Sequence, residues 1–138
     1  MSIQYRDGYK YQLAEDFTQQ LPDYFIPMWR EIETEYLWYD GVKQLIVKQG
    51  YAWDGPSGPT IDTKNFMRGS LVHDALYQLC REGFLEKNTY RPIADRLLYD
   101  LVREDGMNWF RAKYMYWAVR LAANPMARKQ PKVILTAP

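Results

Sequence analysis

The chain has one cysteine, one histidine and almost no net charge among its 138 residues. The single cysteine, Cys80, rules out an internal disulfide and a cysteine-rich zinc module. Such sparse cysteine is typical of a reducing compartment, or of a fold that does not depend on crosslinks. The 18 basic and 17 acidic side chains leave a formal charge of +1, which gives no general field for nucleic acid or an anionic membrane.

The sequence also lacks a long apolar run. No segment approaches the roughly 20 apolar residues that cross a bilayer, and the polar residues 1–7 do not resemble a signal segment. We therefore expect no transmembrane segment and no nucleic-acid partner. Hydrophobic residues nevertheless make up 47% of the chain and aromatic residues 16%, which is enough for one packed core. We predict a single domain over residues 1–138.

The first part of the chain, residues 1–59, predicts β-structure. Alternating apolar and polar side chains favour strands over residues 9–13, 32–39 and 43–48. The pair Asp40–Gly41 is a strong hairpin signal between the last two of these strands.

The second part, residues 64–123, predicts three helices, because apolar side chains recur three or four positions apart. Pro92 favours the start of the second helix, since proline suits the first turn. The expected helices span residues 64–81, 92–106 and 109–123, and an extended tail follows over residues 124–138. Strands followed by helices indicate an α+β fold: a small N-terminal antiparallel sheet followed by three packed helices.

The candidate site is built around the only histidine. His73 and Asp74 lie on the first predicted helix, and a helix hairpin would bring Asp95 towards them. With Asp54 from the preceding loop, these residues could hold one divalent metal, and such carboxylate-rich sites favour magnesium, manganese or calcium. One hypothesis is therefore a metal-dependent hydrolase that uses Asp54, His73, Asp74 and Asp95.

A second hypothesis is nucleophilic catalysis with His73, Asp74 and Ser57. His73 would act as general base, a carboxylate would orient it, and Ser57 would attack. The proline before Ser57 departs from the usual nucleophile elbow.

A third interpretation is structural. A histidine among apolar neighbours on a helix can be a hydrogen-bonded core residue, and His73 can fasten the Asp54–Pro59 loop through backbone carbonyls. Arg91 and Asp95, one turn apart, would form a surface ion pair of little energetic weight. Under every hypothesis we expect His73–Asp74 to pack beneath the Asp54–Pro59 loop and near Asp95.

Four motifs together resemble one known family. They are the strand and loop containing Trp53, Asp54, Gly55, Pro56, Ser57, Gly58 and Pro59; the helical segment His73-Asp74-Ala75-Leu76-Tyr77; the helix segment Arg91-Pro92-Ile93-Ala94-Asp95; and the helix segment Tyr116-Trp117-Ala118-Val119-Arg120. The pattern resembles the phage and prophage family named domain of unknown function 1353, over about residues 9–123. One departure is that the last helix meets Asn124–Pro125, where relatives continue into a glycine turn.

The resemblance implies a bacteriophage or prophage origin, and it carries no assigned activity. We expect a structural or accessory protein, a small component of the head, neck or tail that acts through protein–protein contacts. Its expected partners are phage virion proteins or a second copy of itself, and its expected location is the virion, or the host cytoplasm before assembly. No cofactor is expected under this hypothesis. The alternatives are the metal-dependent hydrolase and a binding module that inhibits a host defence enzyme.

Overall fold

The computed structural model describes residues 5–6, 11–53 and 64–123. In these residues strands come first and helices follow, which confirms the predicted α+β class. The strands are β1 (Tyr5–Arg6), β2 (Tyr11–Leu13), β3 (Phe17–Gln20), β4 (Ile32–Glu33), β5 (Leu37–Tyr39), β6 (Gln44–Val47) and β7 (Ala52–Trp53). The helices are α1 (Met67–Arg81), α2 (Lys87–Glu104) and α3 (Trp109–Ala122).

The strands form two antiparallel sheets, where the sequence predicted one. The first has the order β1-β2-β7 and the second the order β3-β6-β5-β4. Tyr11 in β2 lies opposite Trp53 in β7, so the first sheet joins the beginning of the chain to the last strand before the helices. The second sheet is therefore enclosed, in sequence, between two strands of the first.

The alternating segment 32–39 forms a hairpin instead of the single strand that its pattern predicts. β4 pairs with β5, and Ile32 lies opposite Tyr39. Thr34 makes the turn: its N–H donates to the carbonyl of Leu37 at 2.8 Å, and its hydroxyl oxygen accepts the N–H of Leu37 at 3.0 Å. Such local bonds from threonine compete with the ladder of a continuous strand. The alternation runs through the turn and therefore conceals it.

The predicted hairpin at Asp40–Gly41 is confirmed, because β5 pairs with β6. Asp40 Oδ1 accepts the backbone N–H groups of Val42, Lys43 and Gln44 at 2.8, 2.8 and 3.0 Å. Burial opposes the charge, but these three donors hold the pKa of Asp40 below its ordinary value. Gly41 has φ +90°, a left-handed conformation that suits glycine.

The helices begin and end close to their predicted positions, except at the start of α2. That helix begins at Lys87, five positions before Pro92, so the predicted start is wrong. The carboxylate of Glu86 caps it by accepting the N–H of Thr89 at 2.7 Å, and glutamate is not among the preferred capping residues that reveal a helix start. None of the described helices is both long and apolar enough to cross a membrane.

One buried cluster joins both sheets to α1 and α2. It contains Leu13, Leu45 and Trp53 from the strands, and Leu71 and Leu101 from the helices. A second, smaller cluster lies between α3 and the other two helices. Its members are Phe66, Leu98, Val102, Met107, Ala112 and Met115.

The first turn of α1 is fastened to the end of α2. Arg68 is 8% exposed, and its guanidinium donates to Asp105 at 2.9 and 3.0 Å and to Glu104 at 2.6 Å. Burial alone would lower the pKa of Arg68, but its hydrogen bonds to these two carboxylates raise it. Gly69 follows, and an added Cβ there would lie 2.9 Å from Val102 Cγ1. The two helices therefore approach closely and in a fixed orientation, which positions the site described below.

Replacing Gly41 with alanine is expected to lower the free energy of unfolding by roughly 3 kcal/mol. A left-handed residue with a side chain costs about 1–2 kcal/mol, and the added Cβ would also lie 2.6 Å from the backbone nitrogen and oxygen of Arg30. Gly83→Ala is the matched control, because Gly83 has φ +85° and an added Cβ there would meet nothing within 4 Å. In urea denaturation, Gly83→Ala should lower the free energy of unfolding only by about 1–2 kcal/mol, which is the cost of a left-handed residue with a side chain. Equal losses for the two variants would contradict this account of the turn.

Candidate functional site

A fully buried carboxylate, Asp95, lies where α1, α2 and α3 meet. Its exposed fraction is 0%, although its side chain is ionisable. His73 and Tyr77, one turn apart on α1, both reach it from the same helix face: His73 Nε2 lies 2.7 Å from Asp95 Oδ1, and the hydroxyl of Tyr77 donates to the same oxygen at 2.8 Å. The expected proximity of His73 and Asp95 is confirmed.

The cation that pairs with Asp95 comes from α3. Arg120 Nη1 donates to Asp95 Oδ2 at 2.7 Å. The predicted ion pair between Arg91 and Asp95 is wrong, because Asp95 faces the interior between the helices. The guanidinium of Arg91 lies instead over the ring of Tyr77, with its carbon 5.5 Å from the ring centroid. The carboxylate therefore holds all three helices together, whereas the predicted pair would have stayed within one.

The tautomer of His73 is assigned from its hydrogen-bond partner. A carboxylate only accepts hydrogen bonds, so Nε2 of His73 carries the proton that lies between it and Asp95. In the neutral ring Nδ1 then keeps its lone pair, and Asp74 Oδ1 lies 4.0 Å from it. An imidazole oriented by a buried carboxylate is the arrangement of a general base. The described partner of His73 Nε2 is a carboxylate. That His73 also fastens the Asp54–Pro59 loop through backbone carbonyls stays a prediction, because this loop lies outside the described residues.

His73 forms part of the wall of two neighbouring clefts. The first, which we call the Asp74 cleft, has a volume of about 260 Å³. It is lined by Phe66, Ser70, His73, Asp74, Leu98, Met115, Ala118, Val119 and Ala122. The second, which we call the arginine cleft, has a volume of about 280 Å³. It is lined by His73, Tyr77, Arg81, Arg91, Val119, Ala122 and Ala123. The imidazole is mostly buried, yet it borders space that a small molecule can enter.

The donors around Asp95 do not suit a divalent metal. Oδ2 is held by the cationic Arg120, and Oδ1 accepts from His73 and Tyr77, so both oxygens are occupied by donors. Within the residues that the structure describes, no three histidine, cysteine or acidic side chains cluster as metal ligands. His73 and Asp74 are then the described candidates that remain, and oxygen-rich cation sites need more ligands than two. A metal site that includes Asp54 stays a prediction, because Asp54 lies outside the described residues.

Of the other predicted site residues around the loop, Trp53 at the end of β7 is described and those that follow it are not. The indole N–H of Trp53 donates to the hydroxyl of Ser70 at 3.0 Å, and that hydroxyl donates to the carbonyl of Met67 at 3.0 Å. This contact ties the last strand to α1 directly behind the Asp74 cleft. The loop residues Asp54, Gly55, Pro56, Ser57, Gly58 and Pro59 lie outside the described residues. The role of Ser57 as nucleophile, and the packing of His73–Asp74 beneath this loop, therefore stay predictions.

Two further groups near the site are poor nucleophiles. Burial raises the pKa of Tyr77, and its hydrogen bond to Asp95 raises it further, so the hydroxyl remains a donor. Burial likewise raises the pKa of the Cys80 thiol to about 11, which agrees with a small buried hydrophobic residue.

Arg120 is the functional residue that reasoning about chemistry from the sequence missed. It was present in the motif Tyr116–Arg120, so the signal existed, but only the docking of α3 shows that its guanidinium reaches Asp95. Its side chain is 30% exposed.

Replacing Asp95 with asparagine is expected to lower the free energy of unfolding by about 3 kcal/mol or more. The change keeps the shape but leaves Arg120 without its carboxylate and places an amide donor among three donors. Asp100→Asn is the matched control, since Asp100 lies on the same helix and accepts one hydrogen bond, from the hydroxyl of Tyr24. Its expected cost is about 1 kcal/mol. Denaturant titration of both variants tests the difference, and a small, equal loss would show that the shared carboxylate does not hold the helices together.

Comparison with known proteins supports the family indicated by the motifs. A model of the family described as "Protein of unknown function (DUF1353)" matches residues 30–119, which is more than half of the 138-residue chain. The matched region contains His73, Tyr77 and Asp95 and ends one residue before Arg120. No curated protein and no solved structure shows a significant match. The chain belongs to the DUF1353 family of proteins of unknown function.

Proposed function

We propose that this chain is a structural or accessory protein of a bacteriophage or prophage, and that it acts through protein–protein contacts made by the outer face of α3. The observation that carries the proposal is a stripe of large exposed side chains, which we call the α3 stripe. It consists of Phe110, Tyr114, Trp117 and Leu121, exposed by 76%, 73%, 63% and 64%. Their spacing of four, three and four residues places them on one face of the helix.

The size of the α3 stripe favours a protein interface. A fully exposed aromatic side chain offers about 150–250 Å² of surface, so three aromatic residues and a leucine at these exposures present on the order of 500 Å². The largest apolar patch of a typical monomer is about 300–600 Å², and such patches are often functional. One partner in an interface of standard size contributes about 800 Å². The stripe would supply the apolar centre of such an interface, where aromatic residues are enriched.

The charges on α3 favour a partner with acidic groups around an apolar groove. Arg111, Lys113 and Arg120 are the charged residues of this helix, all three are basic, and the charge of Arg120 is paired with Asp95. Two copies of α3 packed face to face would bring Arg111 and Lys113 of both copies together, which disfavours self-association through the stripe. We therefore assign the stripe to a different protein, which in this proposal is a phage virion component, reached in the virion or in the host cytoplasm before assembly.

A hydrolase is the second candidate, and one observation favours it. The imidazole of His73 is oriented by Asp95 and borders two clefts, as a general base would be. The described residues support a hydrolase in which the imidazole of His73 is the general base and no metal is bound at Asp95. Its nucleophile would be a water molecule or Ser57. Loss of a measured hydrolytic activity in His73→Gln, with folding retained, would favour this candidate over an interaction protein.

The α3 stripe is expected to be dispensable for folding. Tyr114→Ser should change the free energy of unfolding by no more than about 0.5 kcal/mol, because the side chain is largely exposed. Met115→Ser, at the neighbouring position, should cost about 2–5 kcal/mol, because Met115 is 8% exposed and packs in the cluster beneath α3. Urea denaturation measures both. A large loss for Tyr114→Ser would mean that the stripe is covered within the chain itself.

Site-specific crosslinking tests what covers the stripe. A photoreactive p-benzoylphenylalanine in place of Tyr114, in cells that produce the phage or prophage, is expected to capture one phage-encoded protein. The same replacement at Lys87, which is exposed on α2, is the control and should not capture it. Capture of a second copy of this chain would show that the stripe mediates self-association and would contradict an acidic partner. Capture of a host protein would favour the module that inhibits host defence, and crosslinking to lipid alone would refute a protein partner.

The virion location has a direct test. Mass spectrometry of purified phage particles is expected to detect this polypeptide at a constant ratio to a structural protein across the density-gradient peak. Its absence from the particles, while it is present in the producing cells, would reject the virion assignment and leave an accessory role in the host cytoplasm.

A further inference from the structure

Two guanidinium groups line the arginine cleft, and neither has an acidic partner among the residues that the structure describes. Arg81 lies in the last turn of α1, and Arg91 lies in the second turn of α2. Two other arginines between the helices are paired, by contrast: Arg68 binds two carboxylates, and Arg120 binds Asp95. In the described ranges neither Arg81 nor Arg91 forms an ion pair or a side-chain hydrogen bond. No described carboxylate lines the cleft beside these two guanidinium groups, so an anion bound between them would reduce their mutual repulsion.

Arg91 carries an additional signal. Its Nε is buried and makes no hydrogen bond. Its guanidinium carbon lies 5.5 Å from the centroid of the Tyr77 ring, a contact that gives Nε no hydrogen-bond acceptor. A buried donor without an acceptor costs free energy, and a bound ion is one explanation for such a group in a folded protein.

The other described residues of the cleft wall carry no formal negative charge. Val119, Ala122 and Ala123 are apolar, and Tyr77 and His73 add aromatic rings. Asp95 lies behind the imidazole, and its charge is already paired with Arg120. The C-terminal ends of α1 and α3 also border the cleft, but each contributes only about half a negative charge, against a full charge on each arginine.

We propose that the arginine cleft binds a small oxyanion, a carboxylate or a phosphate, carried on a compact apolar body. Arginine presents paired N–H donors that match the oxygens of both groups, and two arginines can hold one such anion from two sides. The volume of about 280 Å³ is at the lower end of ligand pockets, so the ligand is small or only its anionic end enters. This site lies at the helix ends around His73 and is separate from the α3 stripe, so it goes beyond the proposed protein–protein contact.

The single histidine provides the measurement. Because the chain has one histidine, its imidazole gives one assignable pair of ring signals in a ¹H–¹³C NMR spectrum. His73 lines the arginine cleft, so an anion bound there should shift these signals. The full chain is titrated with inorganic phosphate in one series and with N-acetylalanine, a carboxylate on a small apolar body, in another. Sodium chloride keeps the ionic strength constant, so that general screening does not change during either titration.

Two arginine variants and one control locate the binding. Arg81→Gln removes an exposed guanidinium, and Arg91→Gln removes the partly buried one. Arg96→Gln is the control: it removes the same charge from the same helix, but Arg96 stacks on Tyr24, away from the cleft. Because Arg81 is exposed, its variant is expected to fold even if Arg91→Gln does not.

The expected result is a saturable shift of the His73 signals by at least one of the two anions. Affinity should fall about tenfold or more in Arg81→Gln and in Arg91→Gln, and stay within about twofold in Arg96→Gln. A response to N-acetylalanine alone would assign the cleft to a carboxylate with an apolar neighbour, and a response to both would assign it to oxyanions in general. The proposal is overturned if neither anion gives a saturable shift, or if the three variants respond alike.

Discussion

The whole helical part of this protein depends on one buried negative charge. Asp95 has no contact with solvent, so its carboxylate must be satisfied by donors that the fold brings to it. Those donors come from α1, through His73 and Tyr77, and from α3, through Arg120. Apolar packing would tolerate small changes in how α3 lies on the other helices, but three hydrogen bonds of 2.7–2.8 Å would not. The carboxylate thus selects one arrangement of the three helices among the many that a hydrophobic interface allows.

The same arrangement gives α3 two separate faces. Its inner face delivers Arg120 to Asp95 and closes the wall beside His73, while its outer face carries the α3 stripe. A partner that docks on the stripe would therefore press on the helix that completes the site around the imidazole. The helix α3 has polar contacts on its inner side and an apolar surface on its outer side. If α3 moves as a rigid body, binding at one side would change the position of residues at the other.

The sequence contained much of this fold in local signals, and the remainder depends on tertiary contacts. Apolar periodicity predicts α1 and α3, and turn chemistry predicts the hairpin at Asp40–Gly41. Both signals act over a few residues. The β4–β5 hairpin was concealed because Thr34 turns the chain without breaking the alternation. The proximity of His73 and Asp95 followed from two helices joined by a short connection. The choice of Arg120 instead of Arg91 as the cation could not follow, because it depends on how α3 docks and not on spacing along one helix.

The order in which the helices are synthesised affects when the carboxylate of Asp95 can be buried. A ribosome releases α1 and α2 before α3, so His73, Tyr77 and Asp95 can meet while Arg120 is still unmade. During that interval the carboxylate has no cation and is better left hydrated, which disfavours closing the site early. Only when the third helix emerges does enclosure become favourable. We therefore expect enclosure of Asp95 to wait for α3, because α3 supplies the cation that offsets the buried charge.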